Sequence, residues 1–377
     1  MNLLMLSGDS SVAQGKDGAF AQLLGRFRAY WSRIDVLTPS APGAAPRALY
    51  DNVYIHPASV HRALQARFIQ HKGHALLAER PYDLITSHDY GFFYNGAGAW
   101  QLLRSYPKVP LVSEIHHVEG YPIAETLREK AWLRAARVYI PFAARYVAAF
   151  RVVNPHEVPE LLRKWGVPEE KILFVPSLYL DLERLRPLPE TAKRWDLLFV
   201  GRLARNKGLP LLLDVMTHLV RLRPHTTLAI RGDGELAGWL DAEVAARRLQ
   251  AHITRVPRLE HSDAMAGLYN SARALVCLST VEGNPRVTAE AMACGIPVAS
   301  TPVGIMPALI QDGHNGLLLP RDPALWAQRL AALLDDPAGQ QRLGEAGRQA
   351  VQPYEAQASV RRYAHAYHDL IALYRQR

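Results

Sequence analysis

The chain has 377 residues, of which 49% are hydrophobic and 21% are charged. This length exceeds what one hydrophobic core usually supports, and the composition excludes a disordered protein, so we expect two globular domains. The net charge of +9 favours anionic partners such as nucleotides. The basic excess is spread along the chain without an arginine-rich run, which argues against a nucleic-acid-binding protein. The only two cysteines, Cys277 and Cys294, exclude a disulfide framework and fit a reducing cytosol.

The first residues, MNLLMLSGDSS, lack the basic region of a signal peptide and predict a buried first strand. No apolar stretch approaches the length of a membrane span. We therefore expect a cytoplasmic protein.

Short apolar runs alternate with helical patterns through the first half, which indicates a parallel α/β sheet. The predicted strands are NLLML, RIDVLT, YDLITS, PLVSEI, YVAAFRVVN and KILFVPS. Helices are predicted in ETLREKAWLRAARVY and EVPELLRKWG. The loop after the first strand contains Gly15 and Gly18, but it lacks the G-x-G-x-x-G spacing of a dinucleotide-binding loop.

A second series of strands follows a segment rich in proline and charge. These strands are WDLLFVG, TTLAIRG, HITRVP, ALVCLST, PVASTP and GLLLP. We therefore predict an N-terminal domain over 1–184, a linker over 185–194 and a C-terminal domain over 195–352. The final segment, 353–377, predicts a long helix. Two such Rossmann-like domains would face each other across a ligand-binding cleft.

Glu282 and Glu290 are the two acids of VEGNPRVTAEAMACG, residues 281 to 295. Asn284 suits a helix N-cap and Pro285 suits the first turn, so we predict a helix from about 285 to 294 that buries Val287 on one face. The two acids should then lie about 10 Å apart, too far for the roughly 5 Å pair of a retaining glycosidase. Free amides at the helix start between them can bind phosphate. The segment therefore predicts a site for a nucleoside diphosphate sugar, with one acid for each end of the ligand.

Two cations, Arg202 and Lys207, lie in FVGRLARNKGLP, at the end of the first strand of the second series. Cations on such a strand-to-helix loop can neutralise a diphosphate and stabilise it as a leaving group. Gly232, in IRGDGE, allows a tight turn at the end of the next strand. A basic surface turn and a plain connection are the alternatives for these two loops.

These residues resemble glycosyltransferase family 4, a group of retaining enzymes with the two-domain GT-B fold. GRLARNKG is similar to the family's phosphate-binding segment, and EGNPRVTAEAMACGIPVAS is similar to its Glu-x7-Glu region. The resemblance implies that Arg202 and Lys207 bind the diphosphate, that Glu282 contacts the donor sugar and that Glu290 binds the ribose. It also implies contacts of the backbone with phosphate, sugar and base, at Asn284, Arg286, Val287, Thr288, Arg258 and Leu259. No metal or other cofactor is implied.

The resemblance extends more loosely to the N-terminal half. It implies that the loop with Gly15 and Gly18 lies over the donor, and that the last helix crosses back to the N-terminal domain. His116 and His117, after the strand PLVSEI, lie where the family has a histidine that enters the cleft. Either histidine is a candidate to contact the donor sugar or the acceptor hydroxyl. His88, which ends another strand, is a further candidate on the acceptor side.

We therefore predict a metal-independent, retaining glycosyltransferase that moves a sugar from a UDP- or GDP-linked donor to a glycan or glycolipid acceptor, in cell-envelope biosynthesis. The basic segment REKAWLRAARVYIPFAARYVAAFR suggests peripheral contact with an anionic membrane, and a core helix with a solvated basic face is the alternative. A GT-B epimerase or hydrolase and a non-catalytic scaffold subunit are the alternative functions. Asn284, Thr288, Ile305 and Ala308 depart from the common family pattern and leave the donor sugar open.

Overall fold

The computed structural model describes all residues except Glu125, Arg258, Glu260, His261 and Arg377, and except the side chains of Ser262 and Asp263. The chain forms two compact units. The first unit comprises Met1–Ser177 and Gln357–Arg377, and the second comprises Leu178–Ala356.

Among its described residues, the first unit contains an eight-stranded sheet and six α-helices. Its strands are β1 (Asn2–Leu6), β2 (Arg33–Thr38), β3 (Arg47–Tyr50), β4 (Val53–Pro57), β5 (Leu84–His88), β6 (Leu111–Ile115), β7 (Ala149–Val152) and β8 (Ile172–Phe174). Its first five helices are α1 (Ala19–Phe27), α2 (Gln65–Glu79), α3 (Tyr94–Ser105), α4 (Leu127–Ala143) and α5 (Glu157–Lys164).

The strands of this sheet lie in the order β3-β4-β2-β1-β5-β6-β7-β8. All neighbouring strands are parallel except β3 and β4, which are antiparallel. The six strands and the two helices predicted for this half are all present. The β3–β4 pair was not predicted. The side chains of β3 are exposed or half-buried, and such a short strand at the sheet edge lacks the apolar run that marked the others.

The second unit contains a six-stranded parallel sheet with helices on both faces. Its strands are β9 (Trp195–Val200), β10 (Leu228–Arg231), β11 (Ile253–Val256), β12 (Ala272–Cys277), β13 (Val298–Ser300) and β14 (Leu317–Leu318). Its helices are α6 (Leu209–Leu222), α7 (Ala237–Ala246), α8 (Ser262–Asn270), α9 (Arg286–Ala293), α10 (Met306–Leu309), α11 (Pro323–Leu334) and α12 (Pro337–Val351).

Alternate residues of the strands in the second unit enter two separate hydrophobic cores. In β9, Leu197 and Phe199 pack into the core beneath α6 and α11, whereas Leu198 and Val200 pack into the core beneath α9. Both faces of the sheet are therefore buried, which explains why its strands are continuous apolar runs. All six strands predicted for this half are confirmed.

The boundary between the units differs from the predicted linker. Residues 185–194 belong to the second unit, where Asn270 binds this segment: its Nδ2 donates to the Arg186 carbonyl at 2.9 Å, and its Oδ1 accepts from the Leu188 amide at 2.9 Å. Leu185 is buried in the core there. Proline and charge correctly excluded a central strand here, but such a segment can still pack against a domain.

The chain ends in α13 (Ala356–Arg375), which belongs to the first unit apart from its first residue. Its Tyr363 ring stacks on Phe27 of α1 with 4.6 Å between the ring centroids. None of the described helices is both long enough and apolar enough to cross a membrane.

Candidate functional site

The second unit has a topological switch point between β9 and β12. These two strands are neighbours in the order β11-β10-β9-β12-β13-β14, so the chain leaves them in opposite directions along the sheet. The loops that follow their carboxyl ends, 201–208 and 278–285, therefore border a crevice. Open α/β sheets bind ligands at this position. Arg202, Lys207 and Glu282 lie on these two loops.

An ion pair joins the two loops. The ammonium group of Lys207 contacts the carboxylate of Glu282, and these side chains are only 18% and 16% exposed. The Ser279 hydroxyl donates to the same carboxylate oxygen at 3.1 Å. Asn206 Nδ2 donates to the Val281 carbonyl at 3.1 Å and adds a further link between the loops. The predicted phosphate-binding lysine thus contacts the predicted sugar-binding acid.

A cavity of about 630 Å³ opens beside this pair. It is lined by Val200, Gly201, Arg202, Arg231, Gly232, Asp233, Arg255, Val256, Pro257 and Val287. Three predicted site residues, Arg202, Gly232 and Val287, therefore share one cavity. Gly232 is required by close packing, because a Cβ atom there would lie 1.8 Å from the Gly201 carbonyl oxygen.

Helix α9 begins at Arg286, one residue later than predicted. Pro285 occupies the N-cap position with ψ of 85°, which is not helical, and no side chain caps the helix. Asn284 is therefore not the N-cap. Val287 is half-buried: it packs against the core beneath α9, as expected, and it also lines the cavity. Thr288 is completely buried, and its Oγ1 has no hydrogen-bond partner.

Glu290 is 14% exposed and is bound by two side chains. Arg286, one turn earlier in α9, places its Nε 2.7 Å from Oε1, and the Tyr269 hydroxyl donates to Oε2 at 2.6 Å. Burial raises the pKa of Tyr269 well above its ordinary value, and the carboxylate adds to this shift. Glu282 and Glu290 therefore have different partners. Tyr269 was missed because no local pattern connects it to Glu290.

Of the two predicted base-contacting residues, only Leu259 can be placed. Arg258 is outside the described residues. Leu259 lines a second cavity of about 650 Å³ together with Trp195. The two cavities share three lining residues, Arg255, Val256 and Pro257.

In the first unit, His116 follows β6 and lies beside a buried ion pair. Its Nε2 is 3.7 Å from an oxygen of Glu114, and the same oxygen is 3.3 Å from Arg151. Tyr363 and Tyr367 of α13 donate hydrogen bonds to Glu114. Burial alone would raise the pKa of Glu114, but the Arg151 charge, His116 and the hydrogen bond from Tyr363 bring it well below its ordinary value. The last helix thus helps to hold the carboxylate next to a predicted site histidine.

The His116 ring lies 4.5 Å from the ring of His88, measured between centroids. Burial, together with the nearby His116, lowers the pKa of His88 to about 3. His88 also lines a cavity of about 10 Å³, together with the buried Gln65. His117 is half-buried.

The predicted glycine loop comes after β1. Gly15 adopts a left-handed conformation with φ of 78°, and Gly18 is the N-cap of α1. In the described part of the chain, no group of three histidine, cysteine, aspartate or glutamate residues is arranged to bind a metal ion.

Comparison with protein families identifies both halves of the chain. The model described as glycosyl transferase 4-like domain matches residues 19–177, and the model described as glycosyl transferases group 1 matches residues 182–350. The chain belongs to glycosyltransferase family 4. The motifs that carried the resemblance lie in the second of these matches.

Curated relatives of this family are similar over most of the chain. A D-inositol 3-phosphate glycosyltransferase from Streptomyces bingchenggensis is 32% identical over 285 residues, which are 70% of this chain and 61% of the relative. One from an Arthrobacter species is 30% identical, over 78% of this chain and 72% of the relative. A glycogen synthase from Mycobacterium tuberculosis is 29% identical, over 71% of this chain and 64% of the relative. The chain therefore spans about three fifths to seven tenths of the length of these relatives.

Solved structures share the fold. Sucrose-phosphate synthase from Thermosynechococcus elongatus is 22% identical with a TM-score of 0.83, and the match covers 99% of both chains. Anabaena HepE in complex with UDP and glucose is 19% identical with a TM-score of 0.76, covering 98% of this chain and 100% of HepE. This family 4 chain therefore has the GT-B fold.

Proposed function

We propose that the chain transfers a sugar from a nucleoside diphosphate to the hydroxyl group of an acceptor, with retention of the anomeric configuration. The observation that carries this proposal is the arrangement at the switch point of the second unit. An arginine-lined cavity lies beside the Lys207–Glu282 pair and the first turn of α9. Cations and free helix amides stabilise the charge of a departing diphosphate.

Relatives support a nucleotide-sugar donor. HepE has been solved with UDP and with UDP-glucose, and three of the relatives above are named as glycosyltransferases or a glycogen synthase. UDP and GDP both remain open as the leaving nucleotide. The acceptor is a hydroxyl-bearing glycan or glycolipid, and we propose cell-envelope biosynthesis at the cytoplasmic face of the membrane.

The residues of the second unit have distinct roles in this reaction. Arg202 and Lys207 bind the diphosphate and stabilise its charge as the bond to the sugar breaks, so that no bound metal is needed. Glu282 contacts hydroxyls of the donor sugar, and Glu290, oriented by Tyr269, binds the ribose. The departing phosphate oxygen accepts the proton of the attacking acceptor hydroxyl, and no side chain acts as a covalent nucleophile. His116 is the candidate of the first unit for contact with the sugar or the acceptor.

Turnover tests the reaction. The purified protein is incubated with UDP- and GDP-sugars with and without glycan acceptors, and NMR follows the anomeric configuration of the product. We expect acceptor-dependent transfer with retention that persists in EDTA, and we expect Lys207→Ala to lose at least about 100-fold in turnover while its thermal unfolding stays cooperative. Sugar release from the donor without acceptor would instead favour a hydrolase, and inversion or full activity of Lys207→Ala would refute the mechanism.

We also propose that α4 of the first unit contacts an anionic membrane. Leu127 and Val138 on this helix are 85% and 74% exposed, and Phe142 continues the same stripe at 40%. The basic residues exposed on the same helix are Arg128, Lys130, Arg134 and Arg137. Exposed apolar side chains among cations suit insertion at the surface of anionic lipids.

Vesicle sedimentation tests this contact. We expect binding to vesicles with anionic phosphatidylglycerol and weak binding to neutral phosphatidylcholine vesicles. Combined Arg134→Glu and Val138→Asp changes should abolish the binding and leave transfer to a water-soluble acceptor intact. Equal binding of this variant and the unchanged protein would contradict the proposal.

A further inference from the structure

Arg231 is a cavity residue that the sequence analysis did not single out. It is the last residue of β10 and directly precedes Gly232. It pairs in register with Val200 of β9, and its carbonyl accepts a hydrogen bond from the Gly201 amide at 3.0 Å. Arg202, which follows Gly201, lines the same cavity as Arg231. Two guanidinium groups therefore come from the carboxyl ends of adjacent strands, whose backbones lie about 4.8 Å apart.

The third arginine of the cavity is already paired. Arg255 contacts Asp241 at 2.9 Å and donates to the Gly232 carbonyl at 3.1 Å. By contrast, none of the ion pairs found among the described residues involves Arg202 or Arg231. Among the described residues, the buried Nε of Arg231 has no hydrogen-bond partner, and neither has the Nε of Arg255, so what distinguishes Arg231 is the lack of any ion pair.

The remaining charged group in the lining is the exposed Asp233, whose Oδ1 accepts a hydrogen bond from the Gly234 amide at 2.8 Å. In the described part of the chain, the cavity lining thus contains two arginines without an ion-pair partner, Arg202 and Arg231, and one exposed carboxylate. A buried donor without a partner is unfavourable, and an anion in the cavity would supply that partner. Lys207, the other predicted cation, is paired with Glu282.

We propose that Arg231 is a further phosphate-binding residue of the donor site, and that it contacts the diphosphate together with Arg202. This inference rests on the proposed function. A diphosphate fits better than a nucleobase because the guanidinium fork matches phosphate oxygens bidentately. A neutral base would also leave both positive charges uncompensated.

Calorimetry of Arg231→Gln tests this role, with a nucleoside, its monophosphate and its diphosphate as ligands in both the uridine and the guanosine series. We expect the diphosphate to bind about tenfold more weakly, because the variant loses one charge-assisted hydrogen bond to it. We expect nucleoside binding to stay unchanged. Arg231→Lys, which keeps the charge, should recover part of the affinity. Arg221→Gln, on the exposed side of α6, is the matched control and should bind like the unchanged protein.

The outcomes separate this inference from the proposed function. If the unchanged protein binds neither UDP nor GDP, both are refuted. If it binds one of them and Arg231→Gln binds it equally well, Arg231 has no role in the site and the proposed function stands. An equal loss for nucleoside and diphosphate would assign Arg231 to the base and overturn the phosphate contact. If Arg231→Gln does not fold, the affinity of Arg231→Lys for the nucleoside and for the diphosphate tests the phosphate contact instead.

Discussion

Replacing Glu282 by glutamine should change stability and nucleotide affinity in opposite directions. The substitution preserves the size of the side chain but removes the charge that Lys207 contacts, at a position where both side chains are less than a fifth exposed. An exposed ion pair contributes up to about 1 kcal/mol, and breaking a fully buried one costs about 3–5 kcal/mol. We therefore expect a loss of about 2 kcal/mol in the free energy of unfolding, which lowers Tm by about 4–8 °C.

Nucleotide affinity should rise in the same variant. We expect phosphate to compete with Glu282 for the Lys207 ammonium group, so removing the carboxylate charge should free the cation. If breaking the ion pair costs the unchanged protein about 1 kcal/mol of binding free energy, the affinity of Glu282→Gln for UDP or GDP should be about fivefold higher. Transfer should nevertheless slow, because the proposed contact of Glu282 with the donor sugar is gone.

Calorimetry with UDP and GDP, beside thermal unfolding, measures both effects. Ser279→Ala is the matched control, since it removes the other hydrogen bond to the same carboxylate oxygen without changing the charge, and its affinity should stay within about twofold. Weaker or unchanged binding of the diphosphate to Glu282→Gln would show that Glu282 does not compete for Lys207, and the reasoning would fail.

Gly232, Tyr269 and Asp89 each give a further test. Gly232→Ala should cost at least about 2 kcal/mol in unfolding free energy and abolish nucleotide binding, because its Cβ would collide with the Gly201 carbonyl; normal binding would show that the turn can adapt. Tyr269→Phe should destabilise the protein by about 1 kcal/mol and weaken the binding of UDP more than that of 2′-deoxy-UDP, since it removes one of the two side-chain contacts that orient Glu290; equal weakening would remove the ribose role. Burial raises the pKa of Asp89 to about 6 from 3.8, so its stabilising contribution is present at low pH and is lost as pH rises from about 4 to 6. Chemical denaturation should show that, between about pH 4 and 6, the free energy of unfolding of the unchanged protein falls relative to that of Asp89→Asn. Above about pH 6 the difference between the two proteins should stay constant. A difference that is constant over the whole range would contradict the raised pKa.

The strands were predictable from sequence because both faces of the sheet in the second unit are buried, which makes β9 and β12 continuous apolar runs. The site was predictable as far as it depends on loops that directly follow those strands, as with Arg202, Lys207 and Glu282. Parallel strands bring their carboxyl ends to one edge, so residues far apart in sequence meet there.

Other features depend on tertiary packing. Tyr269 reaches Glu290 from a different helix, and nothing near either residue in sequence indicates the contact. The proline-rich segment 185–194 packs on the second unit through Asn270, an interaction that composition does not encode. The start of α9 at Arg286 depends on ψ of Pro285, whereas proline itself fixes only φ.

A crystal structure of the protein with bound UDP or GDP would test the central claim most directly. We expect the diphosphate to lie within hydrogen-bond distance of Arg202, Lys207 and the first amides of α9, and the ribose hydroxyls to contact Glu290. A nucleotide bound in the cavity beside Trp195, with its phosphates away from Arg202 and Lys207, would contradict it.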